Sequence, residues 1–385
     1  MIAPQKKKDH GALGKRLLFV TGTRADYGKL EPLARAAQKA GFQITFFITG
    51  MHMMKRYGET RLEVKRFINA DFFEYVNQRE GDALDFILSK TILGFSDFLH
   101  EHRPDLVVIH GDRVEALGAS IVCAMSYIPS AHIEGGEVSG TIDESIRHCN
   151  TKLCATHFVS SEAARQRVLG LGETPDRTFN IGSPELDTHM RPSGVSIDEV
   201  KAYYDIPFTD YGIAVFHPVT SEVDTIKEQA EAVFGALEAS GKCFVVIAPN
   251  NDPGTDKIFS VIEKLPADRF RVIPSMRFNY FSELMKNASL MVGNSSAGVR
   301  EAPFLGLVSI DVGTRQNNRA QAASVLSCMA GEVDKLRNFI KSYWAKKQVP
   351  DSSFGNGLAS NNFVRVLSNP AFWQISLQKE FRSEN

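Results

Sequence analysis

The sequence predicts a protein of the α/β class with two doubly wound, mainly parallel sheets, one in each half of the chain. Short apolar runs alternate with helical patterns along most of its 385 residues, and most of these runs end in a polar or glycine-containing loop. At roughly 100–200 residues per domain, this length corresponds to two domains that each bury a core. Because ligands of such sheets bind where the strands end, we expect the functional residues in the exit loops.

The domain limits are predicted from changes in composition. The first 14 residues include Lys6-Lys7-Lys8 but no apolar segment, which is typical of a basic tail and not of a signal peptide. A stretch with Pro, Gly and Ser interrupts the strand–helix alternation near the middle of the chain. We therefore predict a disordered tail at 1–14, a Rossmann-like domain at 15–190, a linker at 191–211, a second Rossmann-like domain at 212–368, and a C-terminal helix at 369–385 that packs back toward the first domain.

Composition and charge argue against nucleic-acid binding, membrane insertion and metal binding. A formal net charge of −1 gives no general attraction for nucleic acid or an anionic membrane, and no apolar run reaches the length of a membrane span. The five cysteines are scattered and form no CxxC pair, which indicates reduced thiols and a cytoplasmic location. No Asp-x-Asp motif and no His/Cys cluster with ligand spacing occurs, so we predict no metal and no other cofactor.

The first strand is predicted at Arg16–Val20. It ends in Thr21-Gly22-Thr23-Arg24, and a helical pattern follows at 29–39. A strand, a glycine-containing loop and a helix present backbone N–H groups to a phosphate, and Arg24 would add a cation. A surface arginine beside a tight turn explains Arg24 equally well. Further strands are predicted at 43–48, 105–109, 131–133, 157–159 and 179–181, with helices at 82–101, 114–125 and 161–169.

Two of these strands end in acidic loops. The strand at 105–109 is followed by His110-Gly111-Asp112-Arg113, and the strand at 131–133 by Glu134-Gly135-Gly136. Neighbouring strands would thus deliver carboxylates to one edge of one sheet, and the glycines would allow a close approach to a ligand. On the local pattern alone, helix caps and turn residues explain these carboxylates equally well.

The second half repeats the strand–helix alternation. Its most informative exit loop is Gly293-Asn294-Ser295-Ser296-Ala297-Gly298, before a predicted helix at 299–305. Small residues before a helix form a cradle for a diphosphate, and Glu301 would bind ribose hydroxyls. A plain serine cap explains Ser295 or Ser296, but the whole string is harder to explain as capping. Two such halves facing each other across a cleft form the GT-B arrangement, which is used with nucleotide-sugars. The strands of this half are predicted at 212–216, 243–248, 271–273, 290–292 and 307–312.

At this level of detail the sequence resembles the hydrolysing UDP-N-acetylglucosamine 2-epimerases of bacterial sialic acid synthesis and their relatives that act on N,N'-diacetylbacillosamine nucleotides. Non-hydrolysing relatives typically have Pro-Glu where this chain has Ala25-Asp26, and a Glu where it has Asp143, so both positions favour the hydrolysing branch. The matching strings are GTRADYGKLEPL (22–33), TGMHMMKRYG (49–58), VVIHGDRVEAL (107–117), HIEGGEVSGTIDESIRH (132–148), IGSPELD (181–187), FHPVT (216–220), PNNDPGT (249–255), VGNSSAGVREAP (292–303) and DVGTRQNNR (311–319).

The resemblance implies a reaction and its acid–base residues. UDP-N-acetylglucosamine and water would give N-acetylmannosamine and UDP through an unsaturated 2-acetamidoglucal. Inversion at sugar carbon 2 requires acid–base groups on both faces of that carbon. By position, Asp112, Glu134 and Asp143 match the catalytic carboxylates of that family. We expect Asp112 and Glu134 as acid–base residues and Asp143 as an assisting or hydroxyl-binding group. Arg147 would orient Glu134 or Asp143, with a helix-surface salt bridge as the alternative.

The resemblance also implies a set of UDP-binding residues. His217 matches the histidine near the pyrophosphate and would protonate or neutralise the departing UDP; a capped buried histidine is the alternative. Arginines and N–H groups would stabilise the leaving group without a metal. The residues expected at UDP are Arg24, Arg113, Asn251, Arg277, Ser295, Ser296, Gly298, Glu301, Arg315 and Gln316.

Three alternatives stay open at this point. The first is the same chemistry on UDP-N,N'-diacetylbacillosamine, which gives 2,4-diacetamido-2,4,6-trideoxymannose for legionaminic acid synthesis. The second is a GT-B glycosyltransferase, and the third is an inactive nucleotide-sugar sensor. The resemblance further implies a homo-oligomer, either a dimer or a tetramer.

Overall fold

The computed structural model describes residues 14–139, 142–250, 252–317, 319 and 322–380, and these residues form two parallel sheets. The predicted tail at 1–14 lies outside the described residues except for Gly14. The strands of the first sheet are β1 (Arg16–Thr21), β2 (Gln43–Ile48), β3 (Asp71–Glu74), β4 (Leu106–His110), β5 (Ser130–Ile133), β6 (Thr156–Val159) and β7 (Thr178–Asn180). Those of the second are β8 (Gly212–Val215), β9 (Phe244–Ile247), β10 (Phe270–Ile273), β11 (Leu290–Gly293), β12 (Ser309–Val312) and β13 (Val325–Cys328).

Helices connect most successive strands in both sheets; between β12 and β13 the described residues form no helix. They are α1 (Arg24–Lys39), α2 (Arg61–Val64), α3 (Leu84–Glu101), α4 (Val114–Met125), α5 (Ile142–Leu153), α6 (Glu162–Gly170), α7 (Pro184–Met190), α8 (Ile197–Tyr204), α9 (Ile226–Ala239), α10 (Thr255–Ile262), α11 (Phe278–Lys286), α12 (Ser296–Val299), α13 (Glu301–Phe304), α14 (Val333–Tyr343) and α15 (Ala359–Leu367). No described helix combines the length and apolar character that crossing a bilayer requires.

Each sheet begins in its middle and is extended first to one side and then to the other. The strand orders are β3-β2-β1-β4-β5-β6-β7 and β10-β9-β8-β11-β12-β13. The predicted fold class, with two doubly wound parallel sheets, is therefore confirmed. The direction of winding reverses beside β1 and beside β8, and a crevice forms at this point of such sheets.

Both faces of the first sheet are buried, which explains why its strands are continuous apolar runs. Leu17 and Phe19 pack on one face, and Leu18 and Val20 pack on the other. Successive side chains of a strand point to opposite faces, so a strand that is covered on both sides needs apolar residues at every position.

The contacts divide the chain into two units whose limits differ from the predicted domains. The first unit holds the described residues up to 136, residues 146–184 and those from 358 onward; the second holds 137–145 and 185–357. The predicted linker at 191–211 lies inside the second unit, because Val200, Phe208 and Tyr211 are buried in its core.

The C-terminal segment belongs to the first unit. Phe363 of α15 packs against Phe158 with ring centroids 4.8 Å apart, and Arg177 donates to the Phe372 carbonyl at 2.8 Å. The predicted helix at 369–385 is represented in the described residues by a 3-10 turn at Pro370–Trp373. The regular helix lies earlier, because its apolar residues recur at helical spacing before Pro370, which cannot continue a helix.

Candidate active site

In the first unit, Glu134 is held at the end of β5 by three side chains. Its Oε2 accepts a hydrogen bond from Lys29 Nζ at 2.8 Å and lies 3.1 Å from His110 Nε2. Its Oε1 accepts from Ser183 Oγ at 2.7 Å. The backbone of Glu134 is left-handed, with φ of 62°, a conformation that costs a non-glycine residue roughly 1–2 kcal/mol. A buried carboxylate that is fixed in this way is a candidate acid–base group.

The two glycines after Glu134 accommodate atoms of the protein itself. A Cβ on Gly135 would lie 2.9 Å from His132 Nδ1, and one on Gly136 would lie 2.2 Å from the Ala164 carbonyl oxygen. Close packing of the loop on its neighbours therefore requires both glycines, and their approach to a ligand stays a prediction.

Asp112 is paired with Arg147. Arg147 Nη2 donates to Asp112 Oδ2, and the Arg147 side chain is almost fully buried while Asp112 is partly exposed. The sequence predicted Glu134 or Asp143 as the partner of Arg147, and the structure adds Asp112. Asn150 of the same helix, α5, also contacts this loop, through the Gly111 carbonyl. Arg147 therefore orients a candidate catalytic carboxylate.

A neutral histidine supports the loop that carries Asp112. His132 Nε2 donates to the Gly111 carbonyl at 2.8 Å, and Asn150 Nδ2 donates to the same oxygen at 3.0 Å. Burial lowers the pKa of His132 to about 3, so the ring is uncharged at neutral pH. With its proton on Nε2, the ring uses Nδ1 to accept from Thr151 Oγ1, 3.0 Å away.

Two N–H groups in the loop after β1, where the sequence suggested a phosphate, donate to the protein itself. The backbone N–H groups of Gly22 and Thr23 donate to Asp26 Oδ2 at 3.0 and 2.9 Å. Thr23 and Asp26 form a reciprocal cap of α1, so these donors are already used. Arg24, the cation predicted there, makes two 2.7 Å contacts with Glu63 Oε2, through Nε and Nη2.

Arg113 faces a buried carboxylate that the sequence analysis did not select. Arg113 Nε lies 3.5 Å from Glu115 Oε2, and Glu115 is 2% exposed. Neither Glu115 oxygen has a hydrogen-bond partner among the described residues. Gly22 packs directly on this carboxyl group, since a Cβ there would lie 3.3 Å from Glu115 Cδ.

In the second unit, His217 is a neutral hydrogen-bond donor. Its Nδ1 accepts from the Asn250 backbone N–H at 3.1 Å, which leaves the proton on Nε2. Burial, with a smaller contribution from nearby Arg315, lowers the pKa of His217 to about 3. His217 therefore has an N–H group, and not a positive charge, to offer to a ligand.

Asn294 joins the loops around His217. Its Oδ1 accepts from the His217 backbone N–H at 2.7 Å, and its Nδ2 donates to the His217 carbonyl at 2.8 Å. The Asn294 carbonyl accepts from Gln316 Nε2 at 2.8 Å and from Arg315 Nη1 at 3.4 Å. Arg315 and Gln316 are thus fixed beside the candidate diphosphate loop.

The predicted helix at 299–305 is divided into α12 and α13 at Arg300, whose φ of −118° departs from the regular helical value of about −63°. Ser295 caps α12 through the Ala297 N–H at 3.4 Å, and Ser296 opens that helix. A Cβ on Gly298 would lie 2.7 Å from Ser309 Oγ, so this glycine is required by packing on β12. The serine-rich loop keeps its polar groups, but a four-residue helix contributes little macrodipole.

Glu301, the predicted ribose-binding residue, is buried beside His189. Glu301 Oε1 lies 2.9 Å from His189 Nε2, and His189 Nδ1 lies 2.8 Å from Ser282 Oγ. His189 therefore orients Glu301, and the sequence analysis missed it because its partners are 93 and 112 residues away.

Three predicted site residues remain to be placed: Arg277, Asp143 and Asn251. Arg277 stacks on Tyr203 and Tyr280, with its guanidinium carbon 5.0 and 5.6 Å from the ring centres. Asp143 lies in the first turn of α5, in the segment grouped with the second unit, whereas Glu134 belongs to the first unit. Asn251 lies outside the described residues.

The partners of Glu134 were also missed as site residues. Lys29, His110 and Ser183 all lie in or beside strings that carried the resemblance, and that was the available signal. Among the described residues, no group of three or more His, Cys, Asp or Glu side chains is placed to hold a metal ion.

Comparison with known proteins gives consistent matches over nearly the whole chain. A family model described as UDP-N-acetylglucosamine 2-epimerase matches residues 34–368. A UDP-N-acetylglucosamine 2-epimerase of Neisseria meningitidis serogroup B is 43% identical, over 95% of this chain and 98% of that protein. A UDP-N,N'-diacetylbacillosamine 2-epimerase (hydrolyzing) of Legionella pneumophila is 34% identical, over 92% of this chain and 95% of that protein.

A solved structure shares the fold. The structure of UDP-GlcNAc 2-epimerase from Neisseria meningitidis bound to UDP-GlcNAc superimposes with a TM-score of 0.77 at 20% identity, over 91% of this chain and 99% of that one.

The buried Asp311 makes the stability of the second unit depend on pH, which can be measured. Its side chain is buried at the end of β12, beside Gly293, and Oδ1 has no hydrogen-bond partner among the described residues. Burial raises the pKa of Asp311 to about 7. The unfolded carboxyl ionises near pH 4, so its contribution to stability is complete below that pH and is lost as the pH rises toward 7.

We therefore predict that Asp311→Asn, which imitates the protonated acid, raises the melting temperature relative to wild type by an amount that grows between pH 4 and pH 7. The corresponding difference in the free energy of unfolding between the two proteins should grow by up to about 1.4 kcal/mol per pH unit. Calorimetry of both proteins across this range measures it, and Glu332→Gln at the surface is the control. A difference that does not change with pH would contradict the assignment.

Proposed function

Because the chain belongs to the UDP-N-acetylglucosamine 2-epimerase family, we propose that it is the hydrolysing type, which converts UDP-N-acetylglucosamine and water into N-acetylmannosamine and UDP. The single observation that carries this proposal is the buried Glu134, whose backbone is left-handed and whose carboxylate is in contact with Lys29, His110 and Ser183. Ala25-Asp26 and Asp143 support the hydrolysing branch. The product would feed the synthesis of sialic acid-type sugars.

The proposed reaction has two stages. In the first, a base takes the proton from sugar carbon 2, the C–H electrons form a double bond to carbon 1, and UDP leaves with the bridging oxygen. In the second, water adds its hydroxyl group to carbon 1, and an acid delivers a proton to the opposite face of carbon 2. Two acid–base groups are needed because the proton leaves one face and arrives at the other.

We assign these two roles to Asp112 and Glu134. Each carboxylate is paired with a cation, Arg147 for Asp112 and Lys29 for Glu134, which balances its charge and fixes its direction. A fixed base is required since the C–H bond is only weakly acidic. Asp143 is assigned the assisting or hydroxyl-binding role.

The second unit would supply most of the groups that bind UDP. A neutral His217 would donate from Nε2 to the pyrophosphate and so stabilise the leaving group without neutralising it by charge. Arginine and N–H donors would share this role, so no metal is required. The remaining residues proposed at UDP are Arg24, Arg113, Asn251, Arg277, Ser295, Ser296, Gly298, Glu301, Arg315 and Gln316.

A second substrate has specific support. The 34% identical Legionella pneumophila protein is a hydrolysing epimerase of UDP-N,N'-diacetylbacillosamine, which differs from UDP-N-acetylglucosamine at sugar carbons 4 and 6. We rank UDP-N-acetylglucosamine first because the Neisseria meningitidis protein with that name is 43% identical. We also propose a cytoplasmic homo-oligomer, whose size light scattering would measure.

We predict that the enzyme turns over UDP-N-acetylglucosamine faster than UDP-N,N'-diacetylbacillosamine. Each is incubated with the enzyme and water alone, and the sugars are identified by NMR. Free N-acetylmannosamine together with UDP is expected. A UDP-linked epimer would contradict hydrolysis, faster turnover of the other nucleotide would reverse the ranking, and no free sugar from either would favour the glycosyltransferase alternative.

We predict that Glu134→Gln lowers kcat by at least about a hundredfold, because an amide cannot transfer the proton. UDP affinity should be nearly unchanged, since Glu134 is not among the groups assigned to UDP. Coupled UDP release measures turnover and calorimetry measures binding. Glu162→Gln, on the exposed surface of α6, is the matched control and should behave as wild type. Activity of Glu134→Gln close to that of wild type would exclude its acid–base role.

A further inference from the structure

A buried ion pair holds Glu137, at the start of the segment 137–145, within the second unit. Arg300 is 1% exposed, and its Nη2 lies 2.8 Å from Oε2 of Glu137, which is 2% exposed. Arg300 Nη1 lies 3.6 Å from Oε1 of Glu185, and the Phe354 ring centre lies 5.1 Å from the guanidinium carbon. Arg300 and Glu137 are 163 positions apart in the sequence, so only the fold brings them together.

The position of this pair connects two parts of the proposed site. Arg300 lies between α12 and α13, directly after the serine-rich loop assigned to the diphosphate. Glu137 begins the segment 137–145, which is grouped with the second unit although the chain on both sides of it is grouped with the first. This segment carries Asp143.

A second bond closes the segment near Asp143. The Ser139 backbone N–H donates to Glu144 Oε2 at 2.6 Å. Glu144, which is next to Asp143, therefore accepts a hydrogen bond from Ser139, which is two positions after Glu137. The Arg300–Glu137 and Ser139–Glu144 contacts, which the backbone through Val138 joins, extend from the region beside the diphosphate loop to the beginning of α5.

The pair is suited to positioning and not to binding a ligand directly. A guanidinium that is almost fully enclosed makes its contacts with the protein, and its charge is balanced by carboxylates in fixed directions. Removal of one partner would leave the other charge buried and poorly compensated, so the segment would move away from its present position.

We propose that Arg300 and Glu137 are positioning residues for Asp143, and that they join the diphosphate loop and the Asp143 segment into one rigid assembly. This inference rests on the proposed function for the role of Asp143, but the anchoring itself is measurable without turnover. Displacement of a carboxylate by about 1 Å is enough to slow a reaction by about a hundredfold.

The test compares Glu137→Gln with wild type. Hydrogen–deuterium exchange should become faster in peptides that cover 137–145 and remain unchanged in peptides that cover β11. The kcat should fall by about tenfold or more, while the Kd for UDP stays close to the wild-type value. Glu173→Gln is the matched control, because Glu173 is an equally buried carboxylate paired with Lys152, His157 and Lys379 in the first unit. It should lower the melting temperature without changing kcat or exchange at 137–145.

Unchanged exchange at 137–145 in Glu137→Gln, or an unchanged kcat, would overturn the proposal, as would faster exchange throughout the second unit. Arg300→Lys keeps the charge but loses the forked geometry, and it should reproduce the same pattern; it decides the question if Glu137→Gln does not fold. If the wild-type protein turns over neither UDP-sugar, the proposed function fails, and the exchange measurement still decides whether the anchor exists.

Discussion

The candidate active site in the first unit depends on the position of the Glu134 carboxylate. Its three partners come from different elements: Lys29 from α1, His110 from the end of β4 and Ser183 from the loop after β7. They lie 105, 24 and 49 positions away in the sequence, so no local segment could assemble this arrangement. The left-handed backbone of Glu134 is stable only because the surrounding contacts determine it.

Buried neutral histidines make the exit loops rigid. His52, His132 and His217 each have a pKa lowered to about 3 by burial, and each ring is bonded to a loop at the end of a strand. An uncharged ring can donate at one nitrogen and accept at the other, so it joins two loops without burying a charge. The loops that carry Asp112 and Asn250 are held in this way, which leaves their exposed groups in defined directions.

The sequence was sufficient for the fold class and for placing Asp112 and Glu134 just after the ends of strands, because apolar runs and exit loops are local patterns. The sequence was insufficient where contacts between distant residues decide the role of a group or the limits of a domain. The N–H groups of Gly22 and Thr23 serve Asp26 and not a ligand, and Gly135, Gly136 and Gly298 serve packing against the protein. The domain limits also differed, since 137–145 and the segment from 358 are assigned by burial and ion pairs that local composition does not reveal.

The central claim is that carboxylates of the first unit exchange the proton at sugar carbon 2 while the bond to UDP is broken. Turnover of UDP-N-acetylglucosamine in D2O, followed by NMR and mass spectrometry of the products, tests it directly. The predicted result is UDP together with free N-acetylmannosamine that carries one deuterium at carbon 2. A free epimerised sugar that keeps the substrate's own hydrogen at carbon 2 would contradict the account.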